Sequence, residues 1–489
     1  MSKIKAFLTK LNNMSPAAKA SFWFVVSNVV LKGISFITTP IFTRLLDATD
    51  YGISSVFITW EGVISIFATL SLAGEVYNVA MTKFEDDVNT VTSSFIGLTA
   101  VSSILVYTIC FFISILIPSL FELNNWYLGF MWLQTFTNAA TTFWLMRKHF
   151  TYDYKKVIAY TFSNAILSPV VAIIAVKLVV NNKAFAKVIG SGLWGIMIGL
   201  AIMLLIIKKG KKLYHKKYWK YALKFNVLLL PHYLSQVMLN SADKLMLNGL
   251  VNAASAGLYS IAHSITGVVS IITQSINSSL IPYTLQTIKK GTVKKLYNVI
   301  LGCSTLVAVI CELIVLFARE GILIFATPEY MDAVWFVAPL AFTVQVSFVT
   351  GLVGNIIFYY EKTKEMSIAT MICAASNIVL NYAGIKLFGP YAVGYATLIT
   401  SFIHFFIYYF VAKKYEKNLN EIINLKALLL IFAGFAFLMA YGIIFWNFLL
   451  MKIILLVAIL ILGFVFKNKI IALFKNMKKK EENTDGQNN

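Results

Sequence analysis

The sequence predicts an all-α polytopic membrane protein with about fourteen transmembrane helices and both termini in the cytoplasm. Composition is the first observation: 59% of the 489 residues are hydrophobic and 13% are charged, whereas soluble domains are about 45–50% apolar and about 25% charged. Second, the apolar residues fall into runs of about 20, the length that crosses a bilayer as a helix. Third, most of the 42 lysines and arginines lie in alternate connecting segments, which the positive-inside rule assigns to the cytoplasm.

The apolar runs give the predicted spans in chain order. They cover residues 20–43, 52–75, 91–117, 126–146, 157–180, 186–207, 225–250, 256–283, 296–318, 332–360, 366–387, 391–412, 427–446 and 448–466. The last two are inferred from charge, because only Trp446, Asn447 and Lys452 interrupt the run between Lys426 and Lys467. One helix there would be too long and would place the lysine-rich tail outside, so two short helices with a tight turn are predicted.

Two terminal segments lie outside the spans. Residues 1–19 carry Ile4, Phe7, Leu8 and Leu11 at helical spacing among lysines, a pattern typical of an interfacial helix on an anionic membrane surface. Residues 467–489 combine lysines, acids and amides, so a disordered cytoplasmic tail is expected there.

The chain repeats itself weakly, with a similar segment near the start of each half. A run that contains Pro40 leads to Gly52, and a run that contains Pro231 leads to Gly257. The predicted domains are an N-terminal six-helix bundle at 20–207, a basic cytoplasmic linker at 208–224, a C-terminal six-helix bundle at 225–412 and two additional transmembrane helices at 413–466. The two bundles would be pseudo-symmetric about an axis along the membrane normal. Coincidence between two turns rich in proline and glycine is the alternative.

Several classes of protein lack their signatures in this chain. The net charge of +21 follows the predicted topology, so no nucleic-acid partner is expected. The segment Gly190-Ser191-Gly192-Leu193-Trp194-Gly195 matches the dinucleotide fingerprint, but no strand precedes it, and it is interpreted as a small-residue face for helix packing. The four cysteines lie in apolar runs and are predicted to be free, buried thiols. No phosphate-binding loop, zinc spacing or nucleophile elbow occurs in the sequence, so we predict a protein that is not an enzyme and has neither cofactor nor metal.

Polar side chains recur at helical spacing in four spans, which places them on one face of each helix. The four stripes are Asn28, Lys32, Ser35 and Thr39; Glu61, Ser65 and Glu75; His232, Gln236, Asn240 and Asp243; and Tyr259, His263, Thr266, Ser270, Gln274 and Asn277. Polar stripes in the first two helices of each half would line one water-filled cleft. Two further acids, Glu312 near the outer end of its span and Glu361 at an inner mouth, are expected to be solvated instead.

Lys32 is the most informative of these residues. A lone ammonium at membrane depth costs roughly 2.5–3.5 kcal/mol on insertion scales, and such a charge usually faces a cavity or a partner. Lys32 therefore predicts a transporter whose substrate is anionic and hydrophilic. The alternative is that Lys32 forms a purely structural ion pair with Glu61. Candidates for coupling to an ion gradient are Glu61, His232, Asp243 and His263, which carry ionisable groups within spans.

Two motifs resemble signatures of a known family. The first is Asn28-x3-Lys32-x7-Pro40-x2-Thr43-Arg44-Leu45-Leu46-x4-Tyr51-Gly52, and the second is Asp243-Lys244-Leu245-Met246-Leu247 followed by Ala256-Gly257-Leu258-Tyr259-Ser260. Both are similar to motifs of the Wzx-type oligosaccharide and polysaccharide flippases, which belong to the multidrug/oligosaccharidyl-lipid/polysaccharide (MOP) exporter superfamily. Chain length, spans and termini fit this resemblance over essentially the whole chain. It implies two six-helix bundles in a V that work by alternating access.

The resemblance also implies a function. Wzx-type proteins move undecaprenyl-pyrophosphate-linked oligosaccharides from the cytoplasmic to the outer leaflet of the bacterial inner membrane, for surface polysaccharides such as O-antigen or capsule. A polysaccharide polymerase, chain-length machinery and H⁺ or Na⁺ coupling would be partners in that process. In such a protein we expect Lys32 to meet the pyrophosphate, with Asn28, Gln236 and Asn240 as nearby donors. Arg44 would act at the outer mouth or as a structural clamp of its loop.

Two other functions stay open at this stage. An ion-coupled multidrug or small-molecule antiporter of the same superfamily would prefer acidic residues in its cavity, and Glu61 would suit a cationic drug. A membrane glycosyl-polymerase is disfavoured, because such a protein would be expected to carry a large outer loop with arginines and the predicted outer loops are short.

Overall fold

The computed structural model of the chain describes residues 16–289 and 293–465, and every regular element in these ranges is a helix. The predicted interfacial helix lies mostly outside the described residues, and the predicted tail lies wholly outside them. The side chains of Asn28, Lys32, Glu75 and His232 also lie outside what the structure describes, although their backbones belong to helices.

Fourteen helices of 17 residues or more follow one another along these ranges. They are α1 (Pro16–Leu45), α2 (Ala48–Ala68), α3 (Val88–Leu116), α4 (Asn125–Phe150), α5 (Tyr154–Leu178), α6 (Lys183–Gly210), α7 (Leu230–Leu250), α8 (Ala253–Lys289), α9 (Val293–Leu316), α10 (Val334–Tyr359), α11 (Thr363–Phe388), α12 (Ala392–Tyr415), α13 (Leu425–Ile444) and α14 (Leu449–Val465). Shorter helices connect some of them, at Glu75–Lys83, Pro118–Phe121, Lys216–Asn226, Ala318–Phe325 and Leu419–Ile422, with 3-10 turns at Glu85–Asp87, Val227–Leu229 and Pro328–Ala333.

Each predicted span coincides with one of the fourteen helices. Ten helical segments of the described chain are long and apolar enough to cross a membrane, so the protein is a polytopic membrane protein. Of the others, α14 has 17 residues, while α4 and α7 carry many amides and hydroxyls that lower their hydropathy. The number of crossings and the side of the termini stay a prediction.

The chain forms two compact units, Met1–Gly257 and Leu258–Asn489, and the boundary falls within α8. Helix α7 belongs to the first unit, where it packs against α2. The predicted linker at 208–224 contains most of the helix Lys216–Asn226, whose Tyr218 and Ala222 are buried in a core cluster of the first unit. The predicted division into two six-helix bundles stays a prediction.

Glycines on α6 set its close approach to two neighbours in the first unit. A Cβ on Gly190 would lie 2.5 Å from the Cα of Ala172 on α5, and a Cβ on Gly199 would lie 2.7 Å from the carbonyl oxygen of Thr137 on α4. The glycine motif lies entirely inside α6. The interpretation as a small-residue packing face is therefore confirmed, and no strand-turn-helix exists there for a dinucleotide.

The two glycines of the weak repeat lie against each other in the first unit. A Cβ on Gly52 would lie 1.8 Å from the carbonyl oxygen of Ala253, and a Cβ on Gly257 would lie 2.3 Å from the carbonyl oxygen of Ala48. Each added Cβ would also lie 3.1 Å from the backbone nitrogen of the other glycine. The start of α2 thus crosses the start of α8 backbone to backbone, which only residues without a side chain permit.

The second unit has a continuous apolar core. Helix α10 is buried along most of its length between α9 and α12, and Phe342 and Val349 belong to the core cluster. The predicted break before Lys452 is confirmed, since α13 and α14 are separate helices joined at residues 445–448. All four cysteines are free and buried, as predicted.

Two charged residues of the second unit are buried. Glu312 on α9 is 1% exposed, so the expectation that it is solvated is wrong; α13 covers it, and Gly442 leaves room for its carboxyl group. Lys452, which interrupts the last predicted apolar run, is also buried, and its Nζ lies 2.6 Å and 2.8 Å from the two carboxylate oxygens of Glu320. Glu361 is exposed, as expected.

Candidate functional site

A polar cavity of about 620 Å³ lies within the first unit. Helices α2 and α4 form its walls, the turn between Ala68 and Glu75 forms another side, and Tyr233 of α7 lies at its edge. The lining residues are Ile58, Glu61, Gly62, Ser65, Thr69, Ser71, Ala73, Gly74, Thr135, Asn138, Ala139, Thr142, Phe143, Met146 and Tyr233. A cavity of this size holds a small group or a cluster of waters.

Glu61 supplies the carboxyl group in this cavity's lining. Its side chain is half-buried, and its Oε2 accepts a hydrogen bond of 3.1 Å from Nε2 of Gln134 on α4. Gly192 of α6 leaves space for that amide, because a Cβ there would lie 2.5 Å from Oε1 of Gln134. The carboxyl group is thus positioned by a neutral donor, and it keeps acceptor capacity toward the cavity.

Helix α2 ends earlier than the sequence predicts, and residues 69–74 form a turn after it. The span was expected to run to residue 75, but Leu70 and Ser71 adopt the left-handed conformation, with φ of 51° and 47°. Thr69 Oγ1 donates to the carbonyl oxygen of Ser65 and accepts from the backbone nitrogen of Ser71. The side-chain amide of Asn226 donates to the carbonyl oxygen of Leu70. Glu75 therefore begins a new helix and does not continue the stripe of Glu61.

The other predicted residues of the first unit do not line this cavity. Gln236 and Asn240 are exposed on α7, and Nδ2 of Asn240 donates to the carbonyl oxygen of Gln236 at 2.7 Å. Arg44 is exposed, and its Nη1 donates to the carbonyl oxygen of Pro40 at 2.7 Å, a contact that fits the structural clamp. Asp243 is buried, with 2% of its surface exposed. Of Lys32, Asn28 and His232 only the backbone is described, in α1 and α7.

His263 belongs to the second unit. It is exposed on α8, and its ring centroid lies 6.3 Å from that of Tyr259, one turn earlier on the same helix. Among residues 16–289 and 293–465, no group of three or more His, Cys, Asp or Glu side chains is placed to hold a metal ion.

Two residues of the site were not picked out by the sequence prediction: Asn138, which lines the cavity, and Gln134, which donates a hydrogen bond to Glu61. They lie four positions apart on α4, and Thr142 continues the same face. Their spacing forms a polar stripe on α4, which is the sequence signal that could have found them. The stripe contains no ionisable group, and the predicted cleft used only the first two helices of each half. Polar spacing on the remaining helices would have found it.

Lys187 is another residue that the sequence pattern did not single out. It lies on α6, where its Nζ donates to Oγ of Ser54 at 2.8 Å and lies over the rings of Tyr51 and Phe42. Of the carboxylates that the structure describes, none lies within 4.0 Å of this ammonium. The corner between α1 and α2, which carries the first family motif, is thereby tied to α6.

Comparisons with known proteins place this arrangement in context. The chain is 22% identical over 412 residues to an uncharacterized membrane protein of Haemophilus influenzae, with 82% of this chain and 98% of the relative covered. The fold is similar to that of the lipid II flippase MurJ in an inward closed conformation, with a TM-score of 0.58, 17% identity, and coverage of 92% of this chain and 99% of that one. It is also similar to an inward-facing multidrug resistance MATE family transporter of the MOP superfamily, with a TM-score of 0.53, 12% identity, and coverage of 78% and 93%.

A family model described as polysaccharide biosynthesis protein matches residues 17–288, more than half of the chain. The matched region contains both motifs that resemble the Wzx-type flippases and all of the cavity-lining residues around Glu61. The fold similarity to MOP transporters agrees with the resemblance of the two sequence motifs to members of that superfamily. The chain therefore belongs to the polysaccharide biosynthesis protein family and has the fold of the MOP superfamily transporters.

Proposed function

We propose that the protein translocates undecaprenyl-pyrophosphate-linked oligosaccharides from the cytoplasmic to the outer leaflet of the bacterial inner membrane, for the synthesis of O-antigen, capsule or a similar surface polysaccharide. The family match over residues 17–288 is the observation that carries the proposal. The fold similarity to MurJ supports it, because that protein is named as a lipid II flippase. A polysaccharide polymerase and chain-length machinery would take up the product.

The physical requirement is a hydrated, cationic path for the head group, beside lipid that keeps the prenyl tail. In our proposal Lys32 neutralises part of the pyrophosphate, and Asn28, Gln236 and Asn240 donate hydrogen bonds to it, with Arg44 at the outer mouth. The exposure of Gln236 and Asn240 leaves both amides accessible to such a ligand. A lysine serves this role as a flexible point charge.

The membrane potential, negative inside, assists outward movement of an anion by about 2.3 kcal/mol per charge per 100 mV. Coupling to protons or sodium ions would add to this driving force. Glu61 is the best candidate for it in the first unit, because it lines the polar cavity beside a neutral amide. His232, Asp243 and His263 are further candidates.

Rescue of surface polysaccharide in a bacterium that lacks its own flippase tests the proposal. We expect the wild-type chain to restore the polymer and Lys32→Glu to abolish it. Lys32→Arg should retain part of the activity, because the charge is kept. Lys386→Ala, at an exposed position at the end of α11, is the matched control and should rescue fully. A Lys32→Glu variant that reaches the membrane and rescues as well as the wild type would contradict the proposed anion site.

An ion-coupled multidrug antiporter is the second candidate function. The carboxyl group of Glu61 in the cavity and the fold similarity to a MATE transporter favour it. Expression in a drug-sensitive bacterium separates the two functions. Resistance to cationic drugs that Glu61→Gln removes, without any rescue of polysaccharide, would support the antiporter.

A further inference from the structure

Glu312 is a buried carboxyl group that has no hydrogen-bond partner among the residues that the structure describes. Its side chain is 1% exposed in the second unit, and among the residues that the structure describes neither Oε1 nor Oε2 has a hydrogen-bond donor. No described ammonium, guanidinium or imidazole nitrogen lies within 4.0 Å of it. Such groups are rare in native structures, since buried polar atoms are usually satisfied.

Gly442 and Val315 lie beside this carboxyl group. A Cβ on Gly442 of α13 would lie 3.6 Å from Oε1 of Glu312 and 3.2 Å from Cγ1 of Val315. The glycine therefore forms the notch of α13 into which the carboxyl group fits. Beside the notch lies a cavity of about 10 Å³, which Val315, Gly442, Trp335 and Trp446 help to line. That is about the space of one water molecule.

Among the described residues, no cation forms an ion pair with Glu312, and no charged side chain donates a hydrogen bond to it. Five elements that pack against α9 carry titratable residues, which are Tyr359 on α10, Lys426 and Tyr441 on α13, Lys452 on α14, Arg319 and Glu320 on the helix Ala318–Phe325, and Glu421 on the helix Leu419–Ile422. On α9 itself, Cys311 is next to Glu312 in the sequence. Lys452 and Glu320 bond to each other, Arg319 donates to Asn447, and Tyr441 donates to the carbonyl oxygen of Met451.

An ionised carboxylate in such surroundings is strongly disfavoured, and a buried group of this kind takes up a proton instead. A metal cation is a poor alternative, because hard cations require several oxygen ligands and no group of three or more His, Cys, Asp or Glu side chains among the described residues is placed to hold one. A permanently neutral role would be served as well by glutamine or methionine. Unlike those side chains, a carboxyl group can bind and release a proton.

We propose that Glu312 is a proton-binding site of the second unit. It holds its proton in this conformation, and it releases the proton to water in another conformation in which the gap between α9 and α13 is hydrated. The step moves one proton between the carboxyl group and water and changes no other bond. The inference rests on the proposed transport function, because a transport cycle supplies the second conformation, and it adds a site to that function.

Infrared spectroscopy of the full-length protein in lipid tests the protonation without any substrate. We expect the wild type at neutral pH to show a carbonyl stretching band of a protonated carboxylic acid, and Glu312→Gln to lack that band. Glu421→Gln, which replaces an exposed carboxylate, should leave it unchanged. Glu312→Met is a second variant of similar volume, should the glutamine variant fail to fold. The absence of any band that depends on Glu312 would overturn the proposal.

Transport in vesicles tests the use of the proton. The probe is a fluorescent undecaprenyl-pyrophosphate disaccharide, followed with and without a pH gradient across the membrane. The gradient should accelerate wild-type translocation several-fold and should leave the Glu312→Gln variant unaffected. Equal acceleration in both proteins would overturn the proton site while the proposed function stands. If the wild type moves no probe, the proposed function fails, and the infrared result alone decides the protonation of Glu312.

Discussion

The ammonium of Lys187 lies 4.0 Å from the centre of the Tyr51 ring, and 5.1 Å from that of Phe42. Tyr51 belongs to the Tyr-Gly pair that ends the first family motif, and Lys187 lies more than 130 residues later, on α6. A cation over an aromatic face is stabilised by the negative charge of that face. The motif thus has a structural use, which is to hold the α1–α2 corner against α6.

The first prediction concerns this pair. Tyr51→Leu should destabilise the protein by about 1–2 kcal/mol, the magnitude of a partly desolvated cation–π contact. Lys187→Met should do the same, and the double variant should lose less than the sum of the two single losses. Thermal unfolding of the four proteins in detergent measures the coupling. Strictly additive effects would show that the two side chains do not interact.

The second prediction concerns the helix crossing at Gly52. Gly52→Ala should destabilise the protein by about 1–3 kcal/mol or prevent its folding, because the new Cβ would overlap the carbonyl oxygen of Ala253. Gly129→Ala on α4 is the matched control, since a Cβ there meets nothing within 4 Å. The control should be neutral or slightly stabilising, because alanine favours helices. Yield of monodisperse protein and unfolding temperature are the measurements, and equal values for the two variants would contradict the crossing.

The third prediction concerns the ion pair of Lys452 and Glu320. Lys452 is 1% exposed, whereas the side chain of Glu320 is 45% exposed. Glu320→Gln should therefore lower the free energy of unfolding by about 3–5 kcal/mol, because it leaves a buried ammonium without a counter-charge. Lys452→Met should cost less, since it leaves a carboxylate that water can reach. Unfolding curves of the single variants decide the order, and a larger loss for Lys452→Met would be contrary to the expectation.

The fourth prediction is a pH dependence at the loop between α4 and α5. The carboxylate of Asp153 lies 3.0 Å from the Nζ atoms of both Lys148 and Lys156. Slight burial acts to raise the pKa of Asp153, but the hydrogen bonds from Lys156 and Lys148 outweigh it and hold the pKa below 3.8. Because the folded-state pKa is the lower one, the stabilisation is present above 3.8 and is lost as the pH falls through the folded-state value. Asp153→Asn should lower the unfolding temperature slightly at pH 7 and leave it unchanged well below pH 3.8; the same difference at both pH values would argue against the linkage.

The long helices could be predicted because each needs an apolar run of membrane length, and the runs are separated by charged segments. The end of α2 could not be predicted, because its turn places Leu70 and Ser71 in the left-handed conformation, where sequence rules expect glycine or asparagine. The side-chain amide that reaches Leu70 comes from Asn226, more than 150 residues later. A local pattern contains no information about such a partner.

The candidate site was predicted in part. Glu61 could be found because an ionisable residue within an apolar span is conspicuous. Gln134 is uncharged and hydrogen-bonds Glu61 only in the folded first unit. The burial of Glu312 depends on Gly442, which lies 130 residues away in the sequence and next to it in space. Long-range packing of this kind decides which polar side chains line a cavity and which lie in an apolar core.

The bond between Asn226 and the carbonyl oxygen of Leu70 joins the basic helix Lys216–Asn226 to the turn that borders the Glu61 cavity. Lys216, Lys217, Lys220 and Lys224 project from that helix to its exposed side. Tyr218 and Ala222 of the same helix also belong to the core cluster that contains Leu72 of the turn, so the helix and the turn share packing as well as this hydrogen bond. The basic helix and the cavity rim are therefore held together within the first unit, and a substitution that moves the helix would alter the shape of the cavity.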